Sequence, residues 1–271
     1  MGNHRSIGPR VLLRSEESEG RIALVEIGVP PRWEGPPLHH HAFDEAFHVL
    51  EGELTFRLGD ELRTAAAGQL AFVPGGRVHT LANLADAPAR YLLVITPAGF
   101  ERYFQGLRDG GDPPGPVPET TVVGPPIDPG AGATAPPLPP RAARIDVRVT
   151  GADSDGRVAV MDNRIGPGRA GPPLHHHAFD EAFYVLEGEL TFQLDGQRLT
   201  RRPGELAFAR GGVHHTFANL SAGEARTLII CTPAGFERYF QRIAARETGV
   251  EPPPEALEPW PEVTKVGPPI A

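Results

Sequence analysis

A 22-residue stretch, G-P-P-L-H-H-H-A-F-D-E-A-F-x-V-L-E-G-E-L-T-F, occupies residues 35–56 and returns at 171–192 with one difference, His48 against Tyr184. Other matches keep the same offset of 136 residues. R-I-A-L-V-E-I-G-V at 21–29 answers R-V-A-V-M-D-N-R-I at 157–165, and T-P-A-G-F-E-R-Y-F-Q occurs at 96–105 and 232–241. A constant offset leaves no insertion across the core, so one structural unit is written twice and each copy folds to the same plan. The 271 residues suit two domains of ordinary size.

Within a unit the pattern runs strand after strand. The 32 glycines and 31 prolines call for many turns and an all-β chain. Strands are predicted at 21–29, at 46–58 as a pair around the turn E-G-E, and at 69–73, 78–84 and 90–95, with counterparts in the second copy. A short helix follows the last strand. It is predicted to open at Pro97, with Phe100, Tyr103, Phe104 and Leu107 at helical spacing. Residues 110–140 hold 17 prolines and glycines in 31 positions. Such a segment sustains neither a helix nor a central strand, and it reads as an extended linker between a domain at 1–109 and a second at 141–271. V-V-G-P-P-I at 122–127 and K-V-G-P-P-I at 265–270 echo each other, at an offset of 143.

Each copy carries H-x-H-x3-E and, further on, one more histidine. His39 and His41 are two apart, so on a strand they share a side and His40 takes the other. Glu45 follows after a kink, and the turn P-G-G at 74–76 feeds a strand that carries His79. The second copy supplies His175, His177, Glu181 and His215, with Arg210 where the first has Pro74. Three imidazoles and a carboxylate suit divalent iron, manganese, nickel, copper or zinc, one ion per domain. On an octahedral ion two positions stay open for substrate or dioxygen. A lone H-H-H could be a solvated, metal-sticky loop; the same acid and the same distant histidine in both copies favour the metal. His40 and His176 face away, His214 is excluded by strand direction, and His48 cannot serve both sites because Tyr184 replaces it. Inward parity continues through Phe47, Val49, Ala71 and Val73 in the first copy and Phe183, Val185 and Ala207 in the second, as cavity wall or as plain core.

Net charge is −8, which excludes the basic footprint of a nucleic-acid or anionic-membrane binder. No apolar run reaches the length of a membrane span, and the N-terminus lacks a signal core. Gly2 fits the loose myristoylation pattern, but that pattern is short. The basic residues are nearly all arginine, a bias typical of high-GC bacterial genes, where the modification is not expected. His4 is assigned to a mobile tail. Cys231, the only cysteine, sits in an apolar run and reads as a small buried hydrophobe. The expected location is the cytoplasm.

These residues resemble the cupin superfamily. Its first motif matches Gly35, His39, His41, Glu45 and Gly52, with three residues after the first glycine where five are common. Its second matches Gly68, Pro74, Gly76, His79 and Asn83. The second copy matches at Gly171, His175, His177, Glu181 and Gly188, then Gly204, Gly212, His215 and Asn219. The resemblance implies a bicupin: two tandem jelly-roll β-barrel domains, each with a metal near its centre and a short C-terminal helix. Quercetin 2,3-dioxygenase-like bicupins look most similar, through the three-histidine, one-glutamate set and P-A-G-F-E-x-x-F. Oxalate-degrading bicupins look less so, because Leu38 precedes H-H-H where they usually carry arginine. The expected function is a metal-dependent dioxygenase acting on a small aromatic, enolic or polyketide-like molecule, with Glu45 and Glu181 as ligand and base. A non-redox isomerase or cyclase and a non-catalytic ligand-binding bicupin are the alternatives. Cupin barrels often pair by strand exchange, so a homodimer is one expected arrangement and pairing of the two halves another.

Overall fold

The computed structural model describes residues 8–139 and 144–270. Gly2 and His4 lie outside them. The chain divides into two compact units, Met1–Arg141 and Ala142–Ala271.

In the first unit, β1 (Gly8–Leu13), β2 (Ala23–Val29), β3 (Leu38–His41), β4 (Asp44–Glu51), β5 (Glu53–Leu58), β6 (Glu61–Ala66), β7 (Leu70–Val73), β8 (His79–Ala82) and β9 (Ala89–Thr96) lead to helix α1 (Glu101–Asp109) and a last strand, β10 (Thr120–Gly124). They form two five-stranded sheets, ordered β1-β2-β9-β4-β7 and β10-β3-β8-β5-β6, with antiparallel neighbours throughout. Alternate residues of both sheets point inward and meet: Phe47 of β4 packs edge-on against Phe56 of β5, ring centroids 5.4 Å apart. The result is a jelly-roll.

The second unit repeats the plan with β11 (Ile145–Val149), β12 (Ala159–Ile165), β13 (His175–His176), β14 (Asp180–Glu187), β15 (Leu190–Leu194), β16 (Gln197–Arg201), β17 (Leu206–Ala209), β18 (His215–Ala218), β19 (Ala225–Thr232), α2 (Glu237–Thr248) and β20 (Thr264–Lys265). Its sheets run β11-β12-β19-β14-β17 and β16-β15-β18-β13-β20. Among the described residues, no helix is long and apolar enough to cross a membrane.

Two expectations change. The helix begins at Glu101, not at Pro97. Glu101 is buried, and its carboxylate accepts the Gly99 N–H at 2.6 Å and the Ser15 N–H at 3.0 Å, which ties the helix start to the loop after β1. Glu237 does the same for Gly235 and Gly151. The acid in P-A-G-F-E is therefore a clamp on main-chain donors.

The segment at 110–140 is more than a linker. Thr120–Gly124 pairs with β3, placing Thr120 opposite His41 and Val122 opposite His39. Ile127 is buried, and the N–H groups of Thr134, Ala135 and Leu138 reach the carbonyls of Leu62 and Thr64 on β6. Proline keeps this stretch to a sheet edge, where missing donors do no harm, and the β-branched run T-T-V-V supplies the strand. In the second unit β20 takes the same place beside β13, with Lys265 opposite His175.

Candidate metal centres

Main-chain packing brings each constellation together. A β-carbon on Gly35 would lie 1.7 Å from the Leu81 carbonyl oxygen, and one on Gly171 would lie 1.6 Å from that of Phe217. Only glycine lets the strand carrying H-x-H approach its neighbour so closely. That approach sets His39 directly opposite His79, and His175 opposite His215. The glycine turn is docked from the other side: Gly76 N–H donates to the His41 carbonyl at 2.6 Å, and the Asp44 carboxylate accepts Gly75 N–H at 2.7 Å. Gly212, His177, Asp180 and Gly211 repeat this set. These bonds are made by the glycines, so Arg210 can stand where the first copy has Pro74. Asn83 and Asn219 hold nearby loops through main-chain carbonyls and do not reach the centres.

In the first unit the ligand atoms of His39, His41 and His79 lie within 4.8 Å of one another, and Glu45 Oε2 is 3.0 Å from Nε2 of both His41 and His79. In the second, His175, His177, Glu181 and His215 all lie within 4.8 Å, with Glu181 Oε2 at 3.2 Å from His177 and 3.0 Å from His215. Bonds of about 2.1 Å at right angles put neighbouring donors about 3.0 Å apart. The donor set therefore fits a divalent transition metal in both units.

The rings are oriented before any ion arrives. In each of the six histidines Nδ1 donates to a main-chain carbonyl two residues away: Pro37, Phe43 and Arg77 in the first unit, Pro173, Phe179 and Val213 in the second, at 2.7–2.9 Å. This fixes the tautomer that leaves an Nε2 lone pair for a metal. Phe43 lies flat on His41, centroids 3.5 Å apart, and Phe179 covers His177 identically.

Electrostatics agree with the geometry. Burial by itself would raise the Glu45 carboxyl, but His41 and His79, which donate to it from Nε2 when their rings are protonated, outweigh burial and lower its pKa to about 2. Glu181 is held at about 2 by His177 and His215 against the same opposition. Burial pushes His39 and His175 below the usual imidazole value, which favours the neutral, ligating form. His215 is raised: burial opposes it, and the Glu181 carboxylate prevails.

A cavity of about 760 Å³ opens on His39, Glu45 and His79. Ile27, Trp33, Phe47, Leu81, Tyr91 and Phe100 wall it. Tyr103 and Leu107, the exposed apolar side of α1, also line it. Of the expected wall residues, Phe47 lines this cavity. Val49, Ala71 and Val73 are not among the residues lining it and pack in the core; Phe183, Val185 and Ala207 belong to the core cluster of the second unit. Parity separates inside from outside; it does not separate wall from core. Tyr91 and Ile27 had the needed signal, since both sit at inward positions of predicted strands.

The cupin-domain family matches residues 25–95 and 163–231, just over half the chain and once in each unit. Over 91 residues, 34% of this chain and 27% of the other, the chain is 25% identical to quercetin 2,3-dioxygenase of Bacillus subtilis (strain 168); it thus matches about a quarter of that enzyme's length. Among solved structures it is similar to an oxalate decarboxylase formate complex from Lactobacillus farciminis, at 14% identity and a TM-score of 0.58 over 94% of this chain and 93% of that one. A Bacillus subtilis oxalate decarboxylase with Mn(II) centres gives 16% identity and 0.55 over 97% and 90%. At such identities the likeness is one of fold. With its domain matched twice and a buried His/Glu metal-binding site in each unit, the chain belongs to the cupin family and is a metal-binding bicupin.

Proposed function

We propose that the protein is a metal-dependent dioxygenase whose first unit acts on a small, largely apolar molecule carrying enol or phenol oxygens. The character of the cavity carries this reading. Among the described residues its lining holds no arginine, lysine, asparagine or glutamine. Apart from the hydroxyls of Tyr91, Tyr103 and Thr120, aromatic and aliphatic side chains surround a polar end formed by His39, Glu45 and His79, which suits a largely apolar body with one ligating edge. The local similarity to quercetin 2,3-dioxygenase agrees with that chemistry. A lyase acting on a small dianion is the second reading, favoured by the fold likeness to oxalate decarboxylases. A dianion would call for cationic side chains, which the described residues of this wall do not offer.

Bound at His39, His41, Glu45 and His79, a divalent metal would supply a positive charge that acidifies a substrate oxygen and, if redox-active, a route for electrons to dioxygen. The chain's own groups do the rest. The Nδ1 bonds keep three rings aimed inward. Trp33, Phe47 and Phe100 exclude water and hold an apolar body. Glu45 is held below the usual carboxyl value by its histidine neighbours, and a bound cation would favour the carboxylate further. Glu45 can take a proton only from an oxygen made far more acidic than a free phenol. Glu181 would have the same standing in the second unit.

The test is metal analysis followed by oxygen-electrode screening with flavonols and other enediols, after loading with iron, manganese, nickel, copper or zinc in turn. Oxygen consumed in step with substrate, by a redox-active ion and not by zinc, is expected. Equal turnover without oxygen would turn the assignment to a non-redox lyase or isomerase. Metal below about one tenth of an ion per chain would reduce it to a ligand-binding module.

A further inference from the structure

The two cages are alike and the walls around them differ. Four residues that line the first cavity, Ile27, Trp33, Leu81 and Tyr91, correspond at the offset of 136 to Asn163, Arg169, Phe217 and Thr227. Asn163 stands on the inward side of β12, between Met161 and Ile165 of the second core. It is 6% exposed and lies opposite Thr227 of β19. The Thr227 hydroxyl is engaged by the Tyr184 carbonyl at 3.0 Å. The Asn163 amide oxygen has no such engagement: Oδ1 is enclosed and has no hydrogen-bond partner among the described residues. An enclosed amide oxygen left unsatisfied is unfavourable. The fold does not need it, because the first copy uses isoleucine at the same place.

We propose that Asn163 is a ligand-recognition residue of the second metal centre, and that this centre takes a small hydroxylated organic acid where the first takes an apolar molecule. The proposal rests on the reading of both cages as metal sites. A primary amide accepts from a hydroxyl and donates to a carboxylate, and an α-hydroxy acid presents both on adjacent carbons. Three neutral imidazoles, one carboxylate and a divalent ion leave a net positive charge, which favours an anion. The two halves would then differ in ligand while sharing one metal chemistry.

The test uses the full chain loaded with Mn(II), glycolate as the probe and water-proton relaxation as the readout. His41→Ala leaves the second cage alone, and His177→Ala leaves the first. Glycolate is expected to bind His41→Ala at least ten-fold more tightly than His177→Ala, and adding Asn163→Ile to His41→Ala should abolish the difference. Without glycolate, Asn163→Ile should melt no lower than its parent, since isoleucine fits the matching place in the first copy. Asn163→Ser, which shortens the side chain, gives the same ten-fold loss should the isoleucine variant misfold. Equal affinity in the two single-cage variants, or affinity unchanged by Asn163→Ile or Asn163→Ser, overturns the assignment and leaves Asn163 holding a buried water only. Manganese binding to neither cage would remove the metal reading, and this proposal with it.

Discussion

Each centre is assembled from four side chains, and single substitutions should act on one centre at a time. His41→Ala and His177→Ala are each expected to lower metal content from two ions per chain to one, read by elemental analysis. Loss of both ions from either change would contradict independent cages. Gly35→Ala forces a methyl group onto the Leu81 carbonyl, so the strand carrying H-x-H must shift. A stability loss of about 3 kcal/mol or more in denaturant titration, with weakened binding at the first centre, is expected. Away from the centres, Glu26 is buried beside Arg10 and Arg90. Burial would raise its carboxyl, but hydrogen bonds from the two guanidinium groups keep it below 4.5. Because the folded pKa is depressed, this contribution is complete above pH 4.5 and fades as pH falls through the folded value. Both arginines are partly exposed, so it is worth about 1 kcal/mol. Glu26→Gln should melt below wild type at pH 7, and the gap should close as the solution is acidified.

At the scale of elements, the cages were legible because strand geometry is simple. A spacing of two puts His39 and His41 on one side, and the P-G-G turn delivers His79 opposite. The edge strand was hidden by its surroundings. Prolines and glycines on either side of T-T-V-V drew attention to the linker-like composition, although the echo of V-G-P-P-I in both tails marked the segment as part of the repeat. The helix start was misplaced because P-A-G opens a clamped loop before the first helical turn. Replacing residues 120–124 with a Gly-Ser sequence should strip β3 of its outer partner. The expected result is faster metal loss from the first centre in a chelator competition, with the second centre unchanged. Equal rates at both centres would show that β10 does not support the H-x-H strand.

For the whole molecule, duplication kept the cages and allowed the interiors to diverge. Sequence identity across 35–56 and 171–192 revealed the first fact at once. The second needed the structure, which shows Ile27 and Tyr91 of the core lining the cavity while Val49 and Ala71 do not. Stability should follow metal supply. An ion that binds only the folded state adds about 2.7 kcal/mol at a hundred-fold excess over its dissociation constant. Stripping the protein with a chelator should therefore lower the melting temperature of both units, and returning the ion should restore it. A melt indifferent to chelator would argue that the cages are empty in use.

The main-chain carbonyls that hold six imidazole rings have one further consequence. With the receptors built in advance, capture of an ion requires little rearrangement, and imidazole and carboxylate donors accept several first-row cations, so ligand type alone does not choose among them. Affinity then follows the intrinsic order of the ions themselves, rising toward copper. Whatever occupies these pockets in a living cell is decided by which cation is plentiful when the chain folds.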